Sequence, residues 1–119
     1  MLNRGTWSAT QTGTIDDYDT EYGEQTSVYE MRITAVVDRD YVNPTLNLTV
    51  SHPSPTDLTI ELVAADGTVH TVKNTGDPIP SAYSITGLSS TWLTGGYKLM
   101  ITDYTEGGEG TLTAWGISL

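Results

Sequence analysis

The sequence contains no cysteine and no phenylalanine, and only five of its 119 residues are lysine or arginine. The absence of cysteine excludes disulfide bonds, cysteine-ligated metal sites and thiol catalysis. No stretch approaches the roughly 20 apolar residues that a membrane helix requires. Fifteen aspartates and glutamates give a formal net charge of −10, and such a surface repels phosphate backbones and anionic lipids. We therefore expect neither a nucleic acid nor a membrane as a partner.

The length of the chain suits one domain with its own hydrophobic core, and residues 1–119 show no linker or internal repeat. We expect residues 1–26 to form an N-terminal edge strand and an acidic loop, with Trp7 at one end of the core. The N-terminal residues lack the charged and apolar regions of a signal peptide, so a secreted form would be a mature piece or an excised domain. In isolation the domain is expected to be a monomer.

Short stretches of alternating apolar and polar residues recur along the chain, with turn signals every eight to twelve residues. The alternation is clear over residues 29–37, 46–51 and 58–63, and it predicts strands with one buried face. Ala65–Thr68 contains Asp-Gly and predicts a hairpin turn. Residues 88–93 fit either a strand or a single helical turn. The pattern as a whole predicts an all-β, antiparallel sandwich.

The C-terminal residues 95–119 are interpreted as one β-hairpin. Tyr97, Leu99 and Ile101 alternate with more polar residues, and the glycine-rich loop after Asp103 leads into a second apolar run. Leu112 and Trp115 in that run are three residues apart, which predicts a β-bulge between them.

Several motifs occur together in a fixed order. They are Leu46–His52, an apolar strand ending in histidine; Asp57–Leu58 with its alternating strand; Gly67–Thr68; Leu99–Asp103; and Gly110–Ile117, which contains Trp115. In this order they resemble the P domain, also called the Homo B domain, of subtilisin-like proprotein convertases and secreted bacterial proteases. One position departs from the family pattern, because Tyr97 stands where the family usually has tryptophan.

The resemblance implies a jelly-roll sandwich of about eight short strands in an extracellular or secreted protein. It also implies a non-catalytic module that stabilises an adjacent protease catalytic domain or helps to bind a protein substrate. Bacterial relatives often bind calcium, which implies calcium as a cofactor.

The residues themselves argue against an enzyme. The chain has two histidines, no Gly-x-Ser-x-Gly turn and no Asp-Thr-Gly or Asp-Ser-Gly turn. His52 is in phase with the apolar residues of its strand, so we expect an inward-facing structural histidine that donates to a carbonyl of the loop between Pro53 and Asp57. His70 is expected to be solvated.

Two acidic loops are candidates for calcium binding, because calcium takes six to eight oxygen ligands from carboxylates and flexible backbone. The first loop presents alternating acids and the second is rich in glycine, but neither has the spacing of an EF-hand. The candidate ligands are Asp17, Asp19, Glu21, Asp103, Glu106 and Glu109.

The aromatic residues leave an alternative function open, a free-standing carbohydrate- or protein-binding sandwich. Tyr29, Tyr97 and Trp115 are assigned to the core. Seven others are candidates for a surface platform: Trp7, Tyr18, Tyr22, Tyr41, Tyr83, Trp92 and Tyr104.

Overall fold

The structure is a computed structural model that describes residues 5–119, so the expectations for residues 1–4 lie outside it. The described residues form nine strands and one 3-10 turn, η1. Their bounds are β1 Thr6–Ser8, β2 Gly13–Ile15, β3 Gln25–Ile33, β4 Thr45–Ser51, η1 Pro55–Asp57, β5 Leu58–Val63, β6 Val69–Lys73, β7 Ala82–Ser84, β8 Gly95–Asp103 and β9 Gly110–Ser118. Within residues 5–119, no helix has the length and hydrophobicity needed to span a bilayer.

The strands form two antiparallel sheets. The first has the order β1-β9-β4-β7, with β2 also paired to β9, and the second has the order β3-β8-β5-β6. Most connections cross from one sheet to the other, so each sheet combines strands from distant parts of the chain. The predicted all-β class and antiparallel sandwich are confirmed, with nine strands described where about eight were expected.

The inward faces of both sheets enclose one hydrophobic core. The apolar residues predicted to face inward on residues 46–48 and 58–62 are buried, as are Tyr29, Tyr97 and Trp115. Burial raises the pKa of Tyr97 to about 12. Trp7 packs against this core while remaining partly exposed.

The predicted C-terminal hairpin is wrong. β8 pairs with β3 and β5 in the second sheet, whereas β9 pairs with β1, β2 and β4 in the first. The glycine-rich residues 104–109 therefore carry the chain from one sheet to the other. Alternation identified both strands correctly, but it carries no information about their partners. The predicted bulge is confirmed, since Thr49 pairs with Ala114 and Val50 with Leu112, which leaves Thr113 as the extra residue.

Other boundaries also differ from the sequence-based expectation. β3 runs from Gln25 to Ile33, so Ala35 lies beyond the strand and is exposed, although Val37 is buried. Residues 88–91 are neither strand nor helical turn, and Trp92 makes only an isolated bridge to Asp38. A buried arginine holds this segment, because the Arg39 guanidinium donates to the carbonyls of Ser90 and Leu88 at 2.8 and 3.2 Å.

The expectation that His70 is solvated is also wrong. Only 8% of its surface is exposed, and its Nε2 lies 2.7 Å from Thr68 Oγ1. That hydroxyl donates to Asp66, whose carboxylate also accepts from Ser89 N–H and ties the β5–β6 turn to residues 88–90. Partial burial acts to raise the pKa of Asp66, but the hydrogen bonds from Thr68 and Ser89 outweigh it and lower the pKa.

Candidate functional site

The two acidic loops that the sequence treats separately meet in the structure. The Asp17 carboxylate accepts hydrogen bonds from the backbone N–H groups of Gly107 and Gly108 at 3.2 and 3.0 Å. These bonds join residues 90 and 91 positions apart and attach the N-terminal loop to the connection between β8 and β9. We call this contact the acidic clasp.

Beneath the clasp lies a buried histidine–aspartate pair. His52 directly follows β4 and its side chain is fully buried; its Nε2 is 3.1 Å from Oδ2 of the equally buried Asp103. Its Nδ1 accepts a hydrogen bond from the Ser54 N–H at 2.9 Å, so the ring proton resides on Nε2 and is donated to Asp103. The inward orientation predicted for His52 is confirmed, but its partner is this carboxylate and not a loop carbonyl.

The pKa values of the two carboxylates in this region, Asp17 and Asp103, are shifted in opposite directions. Burial raises the pKa of Asp103, and the nearby Asp17 charge adds to that effect, whereas bonds from Thr105 N–H and His52 act to lower it. For Asp17, desolvation acts to raise the pKa, but the N–H groups of Gly108 and Gly107 outweigh it, and the pKa falls below 3.8.

The clasp predicts a specific titration. Because folding lowers the pKa of Asp17, its ionised carboxylate stabilises the folded state, and this stabilisation is fully present above about pH 4. It is lost as the pH falls through the lowered pKa and the carboxylate becomes protonated. The amide resonances of Gly107 and Gly108 are expected to titrate with a midpoint below 3.8 in two-dimensional NMR spectra. Asp17→Asn should abolish this titration, and Asp19→Asn should preserve it. A midpoint at or above the ordinary aspartate value would contradict the clasp.

The remaining predicted calcium ligands do not join Asp17 and Asp103. Asp19 caps its own turn by accepting from Glu21 N–H and Tyr22 N–H. Glu21, Glu106 and Glu109 are exposed. Over the part of the chain that the structure describes, no group of three or more metal-ligating side chains is assembled. Each Asp17 oxygen accepts one backbone N–H donor.

The outer faces of the two sheets differ sharply in chemistry. On the first sheet, the residues that point away from the core are small and uncharged: Thr6, Ser8, Thr14, Thr45, Asn47, Thr49, Ser51, Ala82, Ser84, Thr111, Thr113, Ala114, Gly116 and Ser118. We call this surface the hydroxyl face. The outer face of the second sheet is more varied: beside Thr26, Thr59, Thr71 and Thr102 it carries the apolar and charged residues Val28, Glu30, Arg32, Glu61, Val63, Val69, Lys98 and Met100. We call it the mixed face.

The mixed face also concentrates the positive charge of the surface. Of the four basic residues in the described range, Arg39 and Lys73 are buried, and only Arg32 and Lys98 are exposed. Both line one groove of about 420 Å³ at the edge of β3. Lys98 lies 3.9 Å from Glu30, whereas Arg32 forms no ion pair with a described residue. Within residues 5–119, the exposed cations of this strongly negative domain thus lie at a single place.

Comparison with known proteins identifies the family. The family model described as the proprotein convertase P-domain matches residues 42–119, which is more than half of the chain. The chain belongs to this family. The P domain is an accessory, non-catalytic module of such proteases. Among curated proteins, none is similar enough in sequence to count as a match.

Solved structures show the same fold. The crystal structure of a serine protease of Aeromonas sobria is similar with a TM-score of 0.70 and 15% sequence identity, over 98% of this chain and 26% of that one. A structure of the Aeromonas sobria serine protease in complex with a chaperone gives a TM-score of 0.65 at 14% identity, over 98% and 26%. The chain thus spans about a quarter of the length of these proteases.

The family match covers all the motifs on which the resemblance was based. It includes β4–β9 and hence His52, Asp103 and Gly110, whereas Asp17 lies outside the matched residues. In the P domain, Gly110 is required by space: a Cβ atom there would lie 2.5 Å from His52 Cδ2 and 2.6 Å from the Ser51 carbonyl oxygen. The histidine and the glycine of the motif are therefore packing partners.

The sequence did not indicate that Lys73 is a buried residue that joins three backbone segments. Only 3% of its surface is exposed, and its Nζ donates to the carbonyls of Leu58, Asn74 and Pro55 at 2.6, 2.9 and 3.1 Å. Burial lowers the pKa of its ammonium group, while Asp77 and Asp57 act in the opposite direction. Its position at the end of a short strand among polar residues carries no sequence signal for this role.

Proposed function

We propose that this P domain is a non-catalytic accessory domain that packs against the catalytic domain of a subtilisin-like, secreted protease and stabilises it. The observation that carries the proposal is the family match over residues 42–119. The shared fold with serine protease chains that are about four times longer supports it, because those chains have room for a separate catalytic domain.

The mixed face is the proposed docking surface for that catalytic domain. Val69 and Val28 are 60% and 48% exposed, and Met100 lies directly across from Val28 in the sheet. Protein interfaces are enriched in methionine and arginine and depleted in serine, alanine, lysine and glutamate. Met100 and Arg32 therefore favour the mixed face over the hydroxyl face, whereas Glu30, Glu61 and Lys98 do not. The catalytic domain would present apolar residues to Val28 and Val69 and a carboxylate to the cations Arg32 and Lys98.

Fusion of the domain to its catalytic neighbour tests this proposal. The gene should encode a subtilisin-like catalytic domain in the same reading frame, and the fused protein should melt about 3–6 °C above the catalytic domain alone, as expected for about 1–2 kcal/mol. Val28→Glu with Val69→Glu should remove this gain because it places charge in the apolar part of the interface. Differential scanning calorimetry measures both melting temperatures.

The matched control places glutamates on the opposite surface, with Thr49→Glu and Thr111→Glu on the hydroxyl face. These changes should leave the gain intact, and neither pair should alter the melting of the isolated domain because all four positions are exposed. A reading frame without a protease domain, or equal losses from the two pairs, would contradict the proposal.

Calcium binding is a separate proposal that rests on the acidic loops and on the family resemblance. An ion that binds the folded state alone stabilises it. A chelator should therefore lower the melting temperature of the isolated domain, and calcium but not magnesium should restore it. Superimposable melting curves with calcium and with chelator would contradict the proposal that the domain binds calcium.

A further inference from the structure

A hydroxyl-lined cleft lies near the start of β5, at the opposite end of that strand from Val63 of the mixed face. Its volume is about 510 Å³, within the roughly 300–1,000 Å³ of small-ligand sites. Five of its six lining residues carry a hydroxyl group, and the sixth carries a carboxylate. The lining residues are Thr56, Asp57, Thr59, Thr75, Tyr104 and Thr105.

Three separate segments build the cleft, and backbone contacts hold them together. Gly76 N–H donates to the Thr56 carbonyl at 2.8 Å, and Tyr104 N–H donates to the Asp57 carbonyl at 3.2 Å. The buried Lys73 ammonium donates hydrogen bonds to the carbonyl of Pro55 in η1, to that of Leu58 just after η1 and to that of Asn74. The walls are therefore fixed before a ligand arrives, which lowers the entropic cost of binding.

The polar groups of the cleft are available to a ligand. Among the described residues, the side-chain oxygens of Asp57, Tyr104 and the four lining threonines have no hydrogen-bond partner, and no buried side-chain nitrogen or oxygen is left unsatisfied. Tyr104 is 45% exposed, so part of its ring faces solvent. The cleft thus offers hydroxyls that both donate and accept, one carboxylate acceptor and an aromatic surface.

We propose that this cleft binds a neutral saccharide unit of a glycan or polysaccharide. An aromatic ring packs against the C–H face of a sugar, and threonine hydroxyls and an aspartate carboxylate match sugar hydroxyls as partners. No basic side chain lines the cleft and the chain carries a net charge of −10, so an anionic ligand is disfavoured. Peptides are bound by pairing with a strand edge or by side-chain pockets, whereas the polar groups of this cleft are side-chain hydroxyls and one carboxylate.

Titration of the isotope-labelled domain with soluble oligosaccharides tests the proposal by NMR. The probes are cellohexaose, chitohexaose, xylohexaose and mannohexaose, with a gelatin-derived peptide as the competing class. At least one sugar should shift the amide resonances of Thr56, Tyr104 and Thr105. Tyr104→Ala should weaken that binding by about tenfold or more, because it removes the aromatic surface.

Tyr41→Ala is the matched control, since Tyr41 is 80% exposed and does not line the cleft; it should bind as tightly as the unmodified domain. Equal affinities of the two tyrosine variants would overturn the proposal. So would shifts produced by the peptide alone, or by none of the probes. The measurement uses the isolated domain, so its failure would leave docking to a catalytic domain untouched.

Discussion

Gly110→Ala is expected to destabilise the domain by about 2–4 kcal/mol, the upper range for overpacking a site that cannot yield. The new methyl carbon would meet His52 Cδ2 at 2.5 Å and the Ser51 carbonyl oxygen at 2.6 Å. The second contact is with the backbone of a central strand, so rotation of a side chain cannot relieve both. Either β9 separates from β4 or the His52 ring leaves Asp103.

Urea denaturation at neutral pH measures this effect, with Gly96→Ala as the control. Gly96 also lies inside a strand, but its nearest neighbour beyond the adjacent residues would be Arg32 Nη2 at 3.9 Å, which is ordinary van der Waals contact. The control is expected to change the free energy of unfolding by less than about 0.5 kcal/mol. Similar urea midpoints for the two variants would show that the space at Gly110 can accommodate a methyl group.

Lys73→Met is expected to reduce the free energy of unfolding by about 2–4 kcal/mol, since hydrogen bonds to a charged donor are stronger than neutral ones. Methionine has nearly the length of lysine and creates little cavity, so the loss reports the three bonds from Nζ to Pro55, Leu58 and Asn74. Those carbonyls belong to η1, to the first residue of β5 and to the residue that follows β6.

Lys98→Met provides the comparison, because the Lys98 side chain is 56% exposed and its contact with Glu30 is a surface ion pair. Such pairs contribute about 0–1 kcal/mol. Chemical denaturation gives both values, and hydrogen exchange at Gly76 and Tyr104 reports whether the walls of the cleft loosen. If the two methionine variants were equally stable, Lys73 would not be the anchor that its contacts indicate.

Elements with a clear period of two were predictable from the sequence. The strand spanning residues 46–51 and the one spanning 58–63 have the inward phase that alternation indicates, because alternate side chains of a strand point to opposite faces. The turn at Ala65–Thr68 followed from Asp-Gly, and Gly67 has the positive φ of 86° that such a turn requires. The bulge at Thr113 was visible as a slip in phase.

Predictions failed where polar side chains are buried or where partners are distant in sequence. His70 and Lys73 are inside because Thr68 and three backbone carbonyls satisfy their hydrogen-bonding groups, which no local pattern reveals. Asp17 and Asp103 were both predicted from the sequence as calcium ligands, but in two separate loops. Their proximity depends on the crossing of residues 104–109 from one sheet to the other, which the hairpin interpretation had missed.

By itself, the sequence determined the all-β class, the buried face of the longer strands, the acidic cysteine-free character of the chain and its resemblance to P domains. These properties are local or additive, because strand periodicity, turn chemistry and charge can be read a few residues at a time. Tertiary structure alone decided the pairing of β8 and β9, the contrast between the two outer faces, the gathering of the exposed cations and the hydroxyl-lined cleft. Each depends on which distant segments share a sheet, and that is set by the packing of the whole core.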